Sequence, residues 1–548
     1  MYNSGYTKAL FYAKIILVKY TNGGGNFIPL GVMEKKVVRY SDFGAVGDGA
    51  TNDFNAIKAA HDYANENGID VKADKDKVYY IGRTYGECIT VKTNTDWCGA
   101  SFVIDDTVFN VEDADRKAPI FDIAHDEEPK EYTKDSECAV GDAIRAINAS
   151  GGLVGENKSR LDLGLGKEAL VFIYNENVRT FIRYGENEDA GSAQREVVLV
   201  GADGNIKRKT PVYFDYEEIT KVRIVSSDES AIKVGNGIFT TVANAAPRQY
   251  TYYERGIKIG RSNTTLYKID FRIKGEGDTG APYMGSISVF DAYNVVVRDT
   301  VVTAHKAYKL EGSDKNTMGT YGLVAGNANK VTFKNVTMHN FFAPGTNTPS
   351  VYAGYWGIMG SNYCKNITYD TCKLTRFDAH CGTYHAKILN SDIGTLTLIG
   401  NGTFRMENSR VFCNRNPALV ILRPDYGSTW CGRFVLSNVT AIPSSEVSRD
   451  WFGVVQGWHT NWNFGYKCYM PETITVKNFK VESPTVKKIT LACGTITDEG
   501  VSSDVIGGVE NINPYTVSSE LIVEENEAGY EYNIPDVIDY KNVKLTLK

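Results

Sequence analysis

The chain has 548 residues, 42% hydrophobic and 23% charged, with 60 Lys and Arg against 66 Asp and Glu for a net charge of −6. That balance belongs to a folded protein and argues against nucleic acid as the main partner. The 34 Tyr and 52 Gly against only 15 Pro suit strands separated by tight turns. No run approaches the roughly 18 apolar residues that span a bilayer, so no membrane insertion is expected. The ten Cys are scattered, with no CxxC and no Cys/His set at zinc spacing. Neither a metal nor a cofactor is expected, and Cys364, Cys372, Cys381, Cys413 and Cys431 read as small buried hydrophobes.

In chain order, residues 1–36 read as an N-terminal attachment segment. The run ALFYAKIILV (9–18) is interrupted by Lys14, and Gly23, Gly24 and Gly25 follow it as a hinge. With no cleavage site of small residues, it does not read as a secretory signal. Residues 37–111 hold DFGAVGDGATNDFNAIKAAHDYANENG (42–68), a glycine turn followed by one amphipathic helix with Phe54, Ile57, Ala60 and Ala64 on one face. Asn52 or Asp53 suits its N-cap and Gly68 its left-handed stop.

Residues 112–230 read as an inserted β subdomain of antiparallel hairpins with a turn at Asp203-Gly204. From 231 to 482 a template recurs: a strand of period two, a polar residue that tolerates a bend, and a second short strand. It appears as VTFKNVTM (331–338), ITYDTCKL (367–374), FVLSNVTA (434–441) and ITVKNFKV (474–481). The bends fall at 299, 335, 371, 390, 408, 438 and 478, with irregular gaps of 18 to 40 residues. Uneven gaps in units of one or two short coils indicate a solenoid with loops inserted on one side. The fold is therefore expected to be all-β, a right-handed parallel β-helix, with Val331, Phe333, Ile367, Tyr369, Phe404, Met406, Phe434 and Leu436 inside. The first coil of such a stack exposes apolar side chains and unpaired backbone, which gives the lone helix its task as a lid. Residues 483–548 read as a small C-terminal β element.

DFGAVGDGATNDFNAIKAA, with VYYIG at 78–82, resembles the opening motif of the pectate-lyase-like superfamily, which includes polygalacturonase-like enzymes and many phage tail spikes and appendages. The resemblance implies the β-helix fold, an extended carbohydrate as ligand and, commonly, a homotrimer. The polygalacturonase active-site signature is missing, so the resemblance does not extend to pectin hydrolysis.

A β-helix binds along a sheet face, where glycosidic cleavage needs two carboxylates at a set separation. In RFDAHCGTYHAK (376–387), alternation with Phe377, Ala379 and Cys381 turns Asp378 and His380 outward, with His385 and Lys387 on the next strand. The following coils offer Arg405 and Glu407, then Arg423, Asp425 and Tyr426. Asp378, His380, Glu407 and Asp425 are the candidate catalytic groups. His385, Arg405, Arg423 and Tyr426 are candidate substrate contacts, together with Trp356, Trp458 and Trp462 from two aromatic loops that suit sugar stacking. Equally, the charged groups can pair with one another on a solvated face, and the aromatics can pack a loop.

The leading reading is an extracellular or virion protein, a phage tail spike or appendage that binds and cleaves a bacterial surface polysaccharide, with virion tail proteins as further partners. A bacterial glycoside hydrolase or polysaccharide lyase is one alternative. A structural or receptor-binding virion component without catalysis is the other.

Overall fold

The computed structural model describes residues 37–548 except 111, 184–189, 248–250, 277–278, 304–306, 310–315, 340, 343–357, 380, 414–417, 444–448, 459–468, 496–519 and 534–543. The N-terminal attachment segment, His380, Trp356 and Trp462, and the side chain of Trp458, lie outside the described residues.

Each turn of the chain adds one strand to a second face, turns a corner, and then adds a longer, bent strand to a first face. The first face is one 20-stranded sheet; the second is two six-stranded sheets stacked end to end. Their pairings are parallel, for example Phe404↔Phe434 on the first face and Asp378↔Thr397 on the second. This is a parallel β-helix.

The mid-strand bends fall where the polar residues recur. Asp299, Asn335, Thr371, Asn390, Asn408, Asn438 and Asn478 all adopt left-handed backbone, with φ from +47° to +58°. Asparagine suits the position twice over. It tolerates that conformation, and its amide carries both a donor and an acceptor, so copies stack from coil to coil. Asn408 Nδ2 donates to Asn390 Oδ1 at 3.3 Å, Asn438 to Asn408 at 3.0 Å, and Asn478 to Asn438 at 3.0 Å. The eight residues expected inside are all buried in one continuous core. Aromatic rings stack within it, as Phe102 on Phe239 at 4.8 Å and Phe333 on Tyr369 at 5.1 Å. Cys364, Cys372 and Cys413 are buried free thiols, pushed up to about 12 by burial, while Cys381 and Cys431 are half-buried.

The helix α1 (Phe54–Asn67) buries Phe54, Ile57, Ala60, His61 and Ala64 and stops at Gly68 with φ +66°. It covers the start of the stack, with the four apolar residues in the same core cluster as the coils. Of the two expected capping residues, Asn52 accepts from the Phe54 amide at 3.2 Å and Asp53 does not cap the helix. The Asp53 carboxylate turns back to accept from the amides of Val46 and Gly47 at 2.7 and 3.1 Å, tying down the glycine turn instead of the helix.

The insertion is a four-stranded antiparallel sheet in the order Ser192–Val200, Ala169–Thr180, Lys221–Ser226, Lys130–Thr133. It begins later than residue 112, because Phe121–Ile123 still pairs in parallel with Ile89–Val91 and Ile257–Ile259. It also contains a second helix, α2 (Ala139–Ala149), which the sequence reading missed; Ile144 anchors it in a separate small core with Leu161, Val171, Val198 and Tyr216. At the other end the repeat outlasts residue 482. Glu520–Glu524 and Lys544–Leu547 continue the first face, so the C-terminal region adds coils where a distinct element was expected.

A candidate binding site on the second face

The second face, called the trough here, is flanked on one margin by the inserted sheet. That margin is the corner into the first face.

Docking of the insert rests on buried polar contacts. Lys365, fully buried, pairs with the equally buried Glu196 at 2.8 Å and reaches the Pro211 carbonyl. Burial lowers the Lys365 pKa, with the Glu196 charge working against that shift. Glu196 in turn accepts from the amides of Tyr213 and Phe214. The Tyr213 ring stacks on Tyr384 at 5.0 Å, and its hydroxyl meets His385 Nε2 at 2.6 Å. The Thr403 amide donates to His385 Nδ1 at 3.1 Å, so the proton of the neutral ring sits on Nε2. Gly402 leaves room for this contact, since a Cβ there would lie 2.6 Å from Tyr213 Oη. His385 is thus under the insert, part of its seat and away from the open face expected for a substrate contact.

Where the insert ends it brings charge to the trough. Asp378, Thr397, Ile421 and Gln456 form one row of cross-strand neighbours on the floor. Asp378 lies between the core residues Phe377 and Ala379, yet it is 0% exposed. Arg376 Nη2 lies 2.7 Å from its Oδ2, Arg423 Nη1 3.0 Å from its Oδ1, and the Thr397 hydroxyl donates to Oδ1 at 2.9 Å. Arg423 also holds Asp425, at 3.0 and 2.5 Å, so one guanidinium stands between the two carboxylates. Arg183 from the insert reaches Asp425 Oδ2 at 3.0 Å and lies over the ring of Tyr426 at 5.7 Å. Burial acts against the Arg423 charge, but Asp378 and then Asp425 outweigh it and raise its pKa above the ordinary value.

The expected grouping is therefore altered. Asp378, Arg423, Asp425 and Tyr426 do come together, joined by Arg376, Thr397 and Arg183. Arg183 carries no local signal in the sequence, because only the docking of the insert brings it here. Glu407 and Arg405 do not belong to this group. The chain turns the corner between Asp378 and His385, so Glu407 lies on the first face, where it pairs with Arg405 two residues earlier on the same strand. Asp378 itself is no open-face carboxylate. With two guanidiniums and a hydroxyl on it and no exposed surface, it is built as an anchor.

No family model matches the chain, and no curated protein matches it. Solved structures do. The tailspike of Acinetobacter baumannii bacteriophage AP22, in complex with A. baumannii capsular saccharide, is 11% identical over 93% of this chain and 79% of its own, with a TM-score of 0.43. The A-module of the Azotobacter vinelandii mannuronan C-5 epimerase AlgE4 is 10% identical over 93% of this chain and 97% of its own, at 0.38. A tailspike of E. coli bacteriophage HK620 is 9% identical over 93% and 78%, at 0.36. The parallel β-helix stands on the chain's own strand pairings. Likeness of this degree brings no ligand and no reaction to the present chain.

Proposed function

We propose that the chain binds an extended bacterial surface polysaccharide along the trough of the second face. One observation carries this reading. Three coils and the tip of the insert converge on a single cluster in which, among the described residues, three guanidiniums face two carboxylates beside Tyr426. Buried ion pairs of this kind are costly as stabilisers and are good at fixing geometry. Guanidiniums held in a fixed plane recognise carboxylates through paired hydrogen bonds, so acidic sugars are the favoured class. The biological setting that suits such a protein is a phage tail spike or appendage, outside the cell or on the virion, acting as a homotrimer beside other tail proteins.

Cleavage is the second reading, and Asp425 is the observation that keeps it. Its side chain is 20% exposed whereas that of Asp378 is not exposed at all. A pair mechanism across the two is disfavoured because Arg423 fills the space that a water or a sugar ring would need.

The test is binding of alginate, hyaluronan, polygalacturonate and neutral dextran by isothermal calorimetry, followed by mass spectrometry of the products. Binding of an acidic chain that weakens on Arg183→Gln supports the reading; no binding to any of them refutes it. Products heavier by one water indicate hydrolysis and unsaturated ends indicate elimination. Either must be lost in Asp425→Asn for this site to be responsible.

A further inference from the structure

The loop that leads into the first strand of the trough displays a tyrosine at the tip of a turn, where Tyr85 and Gly86 both have positive φ and the Glu87 amide donates to the Thr84 carbonyl at 3.0 Å. Tyr85 is 77% exposed, the most exposed large apolar side chain among the described residues. Its φ is +54°, a left-handed conformation that is a genuine outlier for a bulky residue. The next residue, Gly86, packs so closely that a Cβ would lie 2.8 Å from that of Ala114.

The turn beneath Tyr85 is pinned by buried charge. The Thr84 amide and hydroxyl donate to Asp115 Oδ1 at 2.5 and 2.6 Å. Arg255 donates to the Thr84 hydroxyl, to the Gly82 carbonyl and to Asp106 Oδ1, at 3.0, 3.0 and 2.9 Å. Thr84, Asp106, Asp115 and Arg255 are all buried. On the surface, Arg83 pairs with Asp113 at 3.0 Å and lies 5.2 Å from the Tyr85 ring centroid. A strained, exposed aromatic on so rigid a base is the pattern of a displayed contact, since strain persists only where the surroundings enforce it.

We propose that Tyr85 is a stacking platform for a sugar ring of the same glycan, resting on the trough reading above. The strand it leads into, Ile89–Val91, is first in the stack, and the charge cluster lies six to eight strands further on. At about 4.8 Å per strand the two contacts are about 30–40 Å apart. A short oligosaccharide meets one of them; a long chain meets both. The second contact is then intramolecular and raises the affinity for polymer alone.

The experiment compares polymer and tetrasaccharide of alginate, hyaluronan and polygalacturonate on wild type, Tyr85→Ala, Tyr85→Phe and Tyr85→Gly. Tyr85→Ala should weaken polymer binding about three- to tenfold and leave the tetrasaccharide unchanged, and Tyr85→Phe should retain wild-type binding. Tyr85→Gly relieves the backbone, so its melting temperature should be equal to or above wild type while polymer binding falls as in Tyr85→Ala. Unchanged polymer affinity in Tyr85→Ala overturns the platform and leaves the cluster standing. Wild type that binds neither form of any of the three refutes the trough reading, and this inference with it. A change in sedimentation on Tyr85→Ala assigns the ring to a contact between copies of the chain and overturns the sugar platform.

Discussion

Lowering the pH should unlatch the lid, and His61 is the group that makes it do so. His61 is fully buried in α1, its Nε2 2.9 Å from the Tyr40 hydroxyl, and Tyr40 accepts from Trp97 Nε1 at 3.0 Å. Trp97 donates to Tyr40, and the Tyr40 hydroxyl and His61 Nε2 share one hydrogen bond in a site whose burial keeps the ring neutral. Burial lowers its pKa from 6.5 to about 3. The folded value lies below the unfolded one, so the unfolded chain takes up the proton first. The stability that the neutral ring supplies is complete above pH 6.5 and is lost progressively as the pH falls toward 3. Between pH 7.5 and 5.0 that loss is about 2 kcal/mol, from about 1.4 kcal/mol per unit below the unfolded pKa. The assay is hydrogen exchange of the peptide over 54–67, which reads opening of the lid without requiring the solenoid to melt. His61→Leu removes the titration and costs a fixed amount for the unmatched Tyr40 hydroxyl, about 1–3 kcal/mol. Wild type should therefore lose protection between pH 7.5 and 5.0 and the variant should be flat. Equal pH slopes in both proteins would refute a buried neutral His61.

Three further outcomes are expected. Lys365→Met leaves Glu196 charged and unpaired under the insert, and should cost about 3–5 kcal/mol, read by denaturant unfolding and by new protease sensitivity within 192–226. Asn438→Ala removes two amide ladder bonds at a φ of +53°, and should cost about 1–3 kcal/mol, with Asn438→Gly costing less because glycine carries no penalty at that angle. The His385 pKa is lowered by burial, then by Lys365 and Lys387, so the seat of the insert should weaken as pH falls below 6.5, seen as faster exchange of residues 211–214 in wild type and not in His385→Gln.

The solenoid was legible because its determinants are local. A bend that needs left-handed backbone selects Asn, Asp or Thr, and alternation on either side selects Val, Phe and Ile, so each coil announces itself within eight residues. The lid was legible for the same reason, since Phe54, Ile57, Ala60 and Ala64 share a helical face. Helix α2 was missed although Val140, Ala143, Ile144 and Ile147 also recur at helical spacing, because residues 112–230 were read as hairpins from the segments around 169–216 alone. The candidate site was only partly legible. Strand parity correctly sets Asp378 opposite to its neighbours Phe377 and Ala379 in facing, but parity counts direction and not cover. Arg376 and Arg423 both lie against the buried Asp378, and Arg423 is recruited from a later coil. Parity also cannot see a corner, which is why Glu407 looked adjacent to Asp378 and lies on the other face.

The insert explains why this face, of those available, is the one to test. A bare β-helix offers the same alternation on every sheet, and its exposed charges pair along ladders such as Arg410 with Asp392 at 2.7 and 2.8 Å. Such ladders are satisfied by neighbours one coil apart and need nothing from elsewhere in the chain. The cluster at Asp425 differs, because Arg183 comes from more than two hundred residues earlier in sequence and reaches it only when Lys365, Tyr384 and His385 have seated the insert. Seating and cluster are thus linked. If the insert serves only to cover the corner, loosening it through Lys365→Met should leave glycan affinity unchanged wherever the solenoid stays folded. If it completes the site, the same variant should lose affinity alongside Arg183→Gln, and the two together should be little worse than either alone, because both remove the same guanidinium from Asp425.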